Sequence, residues 1–210
     1  MATSTGMRGR TSGNLGGRPA LTSAHRLAEV AQELFLTKGF AETTIADITA
    51  AAGVSQRTFF RYFTTKADVL WVETSAEQAR LQALLDAAPP EEPYHEVLYR
   101  AIPAALHHPP EEHTWALHRA QLLLTAPAVQ AQAAARYAEW RASVTRFAAA
   151  RLDSPPDDLL PTAVGAAALT ATLTAHEYWI THPTDDLPTL LERLLQLLIP
   201  RPDGSPSGAT

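Results

Sequence analysis

The stretch that decides the reading is Thr44-Ile45-Ala46-Asp47-Ile48-Thr49-Ala50-Ala51-Ala52-Gly53-Val54-Ser55-Gln56-Arg57-Thr58-Phe59-Phe60-Arg61-Tyr62-Phe63. Threonine and serine precede two short apolar-periodic runs. A side chain that accepts from first-turn N–H groups is what a helix start needs. Gly53 separates the runs, where a positive φ costs glycine nothing. The stretch predicts a short helix capped by Thr43 or Thr44, a glycine turn, and a second short helix capped by Ser55 and running to about Phe63. Ile45, Ile48, Thr49 and Ala52 form the inner face of the first. Val54, Phe59 and Phe63 point inward from the second, with Phe59 and Phe63 on one face against Ile45, Ile48 and Leu34.

The outer face of the second helix carries the chemistry. Gln56 stacks with Phe60, and Arg57 with Arg61, at a spacing of four. An exposed polar and cationic face at a helix N-terminus suits the DNA major groove, where Arg pairs with guanine O6/N7 and Gln with adenine N6/N7. Phe60 is explained there by contact with a thymine methyl or a sugar. Free N–H groups at Thr44 and Ser55 suit phosphate oxygens, and Tyr62 and Lys66 flank the groove. The expected DNA-binding set is Thr44, Ser55, Gln56, Arg57, Thr58, Phe60, Arg61, Tyr62 and Lys66.

Outward from this stretch, a helix from Ser23 to about Lys38 buries Leu27, Val30, Ala31, Leu34 and Phe35 and ends at Gly39. Thr65 and Lys66 begin a fourth helix reaching about Ala87. After the break at Pro89 to Pro93, helices are expected at Tyr94 to Leu106 (with Pro103 as a kink or start), Thr114 to Thr125, Ala128 to Leu152, Leu160 to Ile180 and Leu187 to Ile199. No run alternates long enough for a sheet. The expected class is all-α: a three-helix N-terminal unit plus a larger helical effector and dimerisation domain, about nine helices in all. The expected division is a flexible basic arm at 1–21, the helix-turn-helix domain at 22–68, the ligand-binding and dimerisation domain at 69–199, and a disordered tail at 200–210.

Charge agrees with this division. Residues 1–66 hold eight basic and four acidic side chains, a net of +4, while the other 144 hold nine basic and eighteen acidic, a net of −9. Phosphate attraction is local and screened beyond about 8–10 Å, so a basic end on an acidic body suits a modular DNA binder. The 210 residues include no cysteine, which excludes disulfides and thiolate metal sites. The first twenty residues contain no apolar export segment, and no stretch approaches eighteen unbroken apolar residues. A cytoplasmic location and no membrane partner are expected.

The window from about 23 to 70 resembles the tetracycline-repressor (TetR) family. The resemblance rests on Phe35 to Gly39, Thr43 to Ile48, Ala52-Gly53-Val54-Ser55, Thr58-Phe59-Phe60-Arg61-Tyr62-Phe63, Thr65-Lys66 and Val69-Leu70. It implies an N-terminal reader, a divergent helical effector domain, and a homodimer on a near-palindromic operator. Phe60 stands where the family often has tyrosine, so a hydroxyl contact to phosphate is lost there. Leu117 to Ala128 further resembles an actinobacterial subgroup with some members that respond to acyl-CoA-like ligands, which implies Arg119, Arg136 and Arg141 as anion contacts.

The family's last two long helices usually pack against their twins. Gly165, Leu169, Thr172, His176 and Trp179, then Leu187, Leu191, Leu194 and Leu198, form the expected seams; service in the subunit's own core is the alternative. Trp115, His118, Leu122, Tyr137, Trp140, Val144 and Phe147 form the expected small-molecule site, with His113 nearby. His107, His108 and His113 lack zinc spacing, and His176 and His182 are six apart, so no metal or cofactor is expected. The leading function is a repressor released from DNA by a small molecule. A constitutive or architectural DNA binder is the alternative, and an activator is inseparable from a repressor. A helical enzyme has least support, since no nucleophile–base motif is present.

Overall fold

A computed structural model describes residues 23–201; the expected arm at 1–21 and the tail beyond Arg201 lie outside the described residues. These form nine α-helices and no strand: α1 (Ser23–Lys38), α2 (Ile45–Ala51), α3 (Gln56–Phe60), α4 (Thr74–Asp86), α5 (Tyr94–Ala105), α6 (His113–Thr125), α7 (Pro127–Leu152), α8 (Leu159–Thr181) and α9 (Leu187–Leu198), with short 3-10 segments at Lys66–Trp71 and Pro110–Glu112. The all-α expectation holds.

Local chemistry sets the first boundaries. α1 stops at Gly39, which has φ +96°, and the turn after α2 uses Gly53 at φ +67°. Thr44, rather than Thr43, caps α2 in a reciprocal box with Asp47. Thr43 is buried and donates its hydroxyl to the Gly39 carbonyl at 2.8 Å. The Ser55 hydroxyl accepts from the Thr58 N–H and starts α3.

Two expected spans are corrected. α3 ends at Phe60, not Phe63. The chain must straighten to reach Thr65, an extended residue whose N–H, with that of Thr64, donates to the Asp68 carboxylate. The fourth helix is also not continuous from Thr65 to Ala87. Lys66–Trp71 is a 3-10 segment in which Ala67, Val69, Leu70 and Trp71 are all buried. No single α-helical face contains four such closely spaced positions. The segment is wedged between two cores instead, and α4 begins afresh at Thr74.

The N-terminal core gathers Leu27, Phe35, Ile48, Phe59, Phe63 and Leu70, and also takes in Leu122, Val129 and Ala133 from α6 and α7. The second core joins Leu81 and Leu85 of α4, Leu98 and Ile102 of α5, Val144 of α7, the alanines of α8, and Leu191 and Leu195 of α9. Full burial of each large aliphatic side chain contributes about 1.5–3 kcal/mol, and helix packing collects these gains. α8 lies against α6, α7 and α9. By length and composition it could cross a membrane, where the sequence reading expects no span; 39% of that stretch is buried, one face of it through Val164, Ala168, Ala171 and Ala175 of the second core. A Cβ on Gly165 would sit 2.0 Å from Thr145 Oγ1 and 3.1 Å from the Arg141 carbonyl. Gly165 therefore serves the close approach of α7 and α8 inside the subunit, not a dimer seam.

Candidate nucleic-acid interface and effector cavity

Phe59 is fully buried against Ile48, and this fixes the rotation of α3. Gln56, Arg57, Phe60 and Arg61 then stand in solvent, and Phe60 is 54% exposed despite its ring. Ser55, Arg57, Thr58, Phe60 and Arg61 line one surface groove. The Arg61 guanidinium lies 4.7 Å from the Tyr62 ring centre and donates to its hydroxyl at 2.7 Å. Arg57 makes no ion pair among the described residues.

Two expected phosphate contacts are corrected. The Thr44 N–H is not free: it donates to Asp47 Oδ2 at 2.8 Å, and the Thr44 hydroxyl donates to the same oxygen at 2.8 Å. Lys38 Nζ donates to Asp47 Oδ2 at 2.7 Å; this bond and those from Thr44 hold the Asp47 carboxyl well below the usual carboxylate range. Lys66 is also spent. Its three ammonium protons meet the carbonyls of Phe40, Ala41 and Thr43 at 2.6, 3.1 and 2.8 Å, with Nζ 4.7 Å from the Phe40 ring centre. Lys66 thus fastens the α1–α2 loop. Arg26 pairs with Glu29 at 3.0 Å. Of the reader's described cations, Arg57 and Arg61 carry the outward charge.

Lys66→Ala is therefore expected to cost about 1–3 kcal/mol of stability, since hydrogen bonds to a charged donor are lost. Urea unfolding measures this. The salt slope of DNA binding should stay unchanged, and a drop of about one would restore Lys66 as a phosphate contact.

The 3-10 segment is bolted to the body by Arg119 of α6. Its Nε donates to the Leu70 carbonyl at 2.8 Å, and its terminal nitrogens meet both Glu77 carboxylate oxygens at 2.5 and 2.9 Å. Both side chains are buried. Burial pushes the Glu77 carboxyl up, but the Arg119 charge and hydrogen bonds prevail and leave it below its ordinary 4.5. Nearby His108 is neutral at pH 7: burial, aided by the Arg119 charge, outweighs the pull of Glu77 and lowers it to about 4. α1 is joined to α6 separately. Gln32, with its amide turned to satisfy both ends, accepts from Trp115 Nε1 and donates to the Trp115 carbonyl, each at 3.2 Å. His25 stacks on Trp115 at 4.7 Å.

Between α4, α6, α7 and α8 lies a cavity with about 110 Å³ of free space. Leu106, Leu123, Leu124, Trp140, Leu169 and Leu173 supply apolar wall, and Trp71, Thr74, Glu77, Arg119, Arg136, Tyr137, Thr172 and His176 its polar side. Of the expected ligand residues it contains Tyr137 and Trp140, and of the expected anion contacts Arg119 and Arg136. Trp115 is taken by the α1–α6 contact, Leu122 belongs to the N-terminal core, and Val144 is fully buried in the body. Phe147 packs on the body core beneath the Arg151 guanidinium, and half-buried His118 lies off the cavity wall. Arg141 is exposed and away from it.

The expected dimer residues also move. Leu169, Thr172 and His176 face the cavity, and Trp179, Leu187 and Leu191 are buried in the subunit. Leu194 is half-buried and Leu198 exposed. The outward stripe of α8 is Ala166, Thr170, Thr174 and Tyr178, and that of α9 contains Arg193, Leu197 and Leu198, with Leu197 71% exposed.

A capped helix-turn-helix with an outward cationic face, rigidly tied to a larger helical body with an internal cavity, defines a helix-turn-helix transcription regulator with an effector domain. Residues 27–70 match the family model for bacterial regulatory proteins of the tetR family, and residues 92–202 match that for the MftR C-terminal domain. The chain belongs to the TetR family of transcriptional regulators, a family that binds operator DNA as dimers and binds small molecules. It is 33% identical over 164 residues, 78% of this chain and 83% of the other, to a Mycobacterium tuberculosis protein described as the mycofactocin biosynthesis transcriptional regulator MftR. Among solved structures, the fatty acid degradation regulator FadR of Bacillus halodurans has the same fold (TM-score 0.62, 13% identity, covering 87% of this chain and 97% of that one). Thermus thermophilus FadR, a TetR-family repressor solved with lauroyl-CoA, is 25% identical (TM-score 0.52, covering 88% of this chain and 100% of that one).

Proposed function

We propose that this chain is a cytoplasmic homodimeric repressor that reads an inverted-repeat operator through α3 and is released when a small molecule fills the cavity. The observation that carries this is the outward face of Gln56, Arg57, Phe60 and Arg61 over a buried Phe59. Ser55 and Thr58 stand at the helix start, and Tyr62 flanks it. The division of labour falls near residues 68 and 69, at the 3-10 segment. Its work is binding rather than catalysis.

The stripes on α8 and α9 supply the dimer face in this reading. Two readers must present α3 to half-sites about 34–36 Å apart, or a multiple of that. Drug-sized ligands occupy pockets of about 300–1,000 Å³. A ligand of that size would have to part α4, α6, α7 and α8, and α4 follows directly from the reader. The cavity supports this ligand-responsive reading over a constitutive one. The lauroyl-CoA bound by Thermus FadR supports an effector with an apolar body.

Selection from random duplexes, with sequencing of the bound pool, tests the reading. An enriched inverted repeat is expected. Enrichment of single half-sites, or salt-sensitive binding without sequence preference, would count against it. On the selected operator, Arg57→Ala is expected to cost about 1–3 kcal/mol and to relax preference at one base pair in each half-site. Unchanged binding by that variant would remove Arg57 from the base-reading set.

A further inference from the structure

A second space lies against the effector cavity. It sits between the end of α5, the loop that leads into α6, and the α8–α9 turn, with about 200 Å³ of free space. Leu106, Pro110, Trp179 and Leu187 supply apolar wall, and exposed His107 and Asp186 stand at its rim. Leu106 alone belongs to both linings. Two further pairs set the spaces back to back. His108 of the second space lies 3.6 Å from Glu77 of the cavity. Trp179 of the second space meets His176 of the cavity edge-on, with ring centres 6.3 Å apart. The cavity by itself is small. An enclosed space of ~150 Å³ holds a benzene ring, so its free space of about 110 Å³ holds roughly four or five non-hydrogen atoms. The two spaces together reach the ~300 Å³ at which pockets for drug-sized ligands begin. A ligand that parts the helices gains room most readily where one side chain divides free space from free space. That side chain is Leu106. A change of its rotamer breaks no hydrogen bond, since its backbone N–H stays on the Ile102 carbonyl.

We infer that the second space is a subsite of the cavity, that Leu106 is the partition between them, and that the subsite takes the uncharged end of a slender ligand. Asp185 and Asp186 line it, and no lysine or arginine does, so an anionic end would enter beside two carboxylates with no cationic partner. This rests on the proposed effector role of the cavity and adds the residue that sets ligand length.

The test uses the full chain and straight-chain primary alcohols from butanol to decanol. Affinity is read by titration calorimetry. Position is read by indole ¹H–¹⁵N signals, because Trp140 lines only the cavity and Trp179 only the second space. Each signal is identified by its loss in Trp140→Phe or Trp179→Phe. Butanol is expected to shift the Trp140 signal alone. Octanol and decanol should shift both, with affinity rising about fourfold per added methylene throughout the series. Leu106→Ala should bring the Trp179 response to shorter alcohols. Leu106→Trp should abolish that response, hold decanol to the affinity of butanol, and leave the Trp140 shift in place. Affinity that stops rising at pentanol, a Trp179 signal that decanol leaves unmoved, a Leu106→Ala protein whose Trp179 response begins at the wild-type length, or no binding by any alcohol would overturn the inference. Operator release by decanol is read separately. Decanol that fills both spaces without releasing DNA would count against the repressor reading and leave the subsite standing.

Discussion

Replacing Arg119 with Met is expected to destabilise the protein by about 3–5 kcal/mol, the usual result of stranding one member of a buried ion pair. Two losses combine. Glu77 keeps a buried charge with only His108, neutral at pH 7 and 3.6 Å away, beside it, and the Leu70 carbonyl loses its donor. The deficit should depend on pH in a defined direction. In the wild type Arg119 keeps the Glu77 carboxyl below 4.5. That contribution is full above the unfolded value and fades as pH falls through the folded one. In the mutant, burial, opposed only by His108 and His176, raises the carboxyl, which can then take up a proton in the folded state. The gap between the two proteins should narrow as pH falls from 7 toward 5, as measured by urea unfolding. A gap independent of pH would mean that the lost packing of Arg119, not the stranded carboxylate, sets the cost.

The double variant Glu77→Leu with Arg119→Met separates stability from signalling. Swapping a buried pair for apolar residues of similar size is often neutral or stabilising. The double variant should regain most of the loss, yet the Leu70 carbonyl stays unheld. Operator binding should persist, and release by ligand should weaken. A double variant that responds to ligand like the wild type would show that Arg119 stabilises the body without coupling it to the reader.

The reader was legible in the sequence because its determinants are local. A threonine and a serine cap, two glycines at positive φ, and the spacing of Ile48, Phe59 and Phe63 fix α2, the turn and α3 between residues 39 and 63. What the sequence concealed was competition for the same atoms. Lys66 stands at a phosphate-facing position by number, and only folding brings three carbonyls from residues 40 to 43 around it. The cavity was harder. The aromatic run from Tyr137 to Phe147 extends about 15 Å along α7, so it passes from the cavity wall into the body core and cannot face one ligand throughout. Glu77 was the readable clue that went unused. It falls in line with Leu81 and Leu85 at intervals of four on the buried face of α4, and an acid in such a row needs a buried cation, which Arg119 supplies.

The proposed dimer face illustrates the limit of periodicity. α8 is apolar or small nearly all round, so composition does not say which stripe is outermost. Reading Gly165, Leu169 and Thr172 instead of Ala166, Thr170 and Thr174 is an offset of one or two residues, yet one residue turns the face by about 100°. The amphipathic α9 is less ambiguous. Leu191 and Leu195 are fully buried, and Leu197 projects on the other side. Leu197→Glu is therefore expected to dissociate the dimer. At an isologous interface the substitution appears twice. Each copy forfeits up to about 2 kcal/mol of apolar burial and adds the cost of removing a carboxylate from water. A combined penalty of about 4 kcal/mol would raise the dissociation constant roughly a thousandfold. Sedimentation equilibrium should find monomer at micromolar concentration with helical content intact. Operator affinity should collapse with it, because a lone reader can grip only one half-site and loses the gain from linking two. Leu191→Glu would also abolish binding, but by unfolding the body, and the circular dichroism spectrum distinguishes the two. A Leu197→Glu protein that stays dimeric and holds its operator would place the interface away from α9, leaving the exposed leucine to be explained by some other partner.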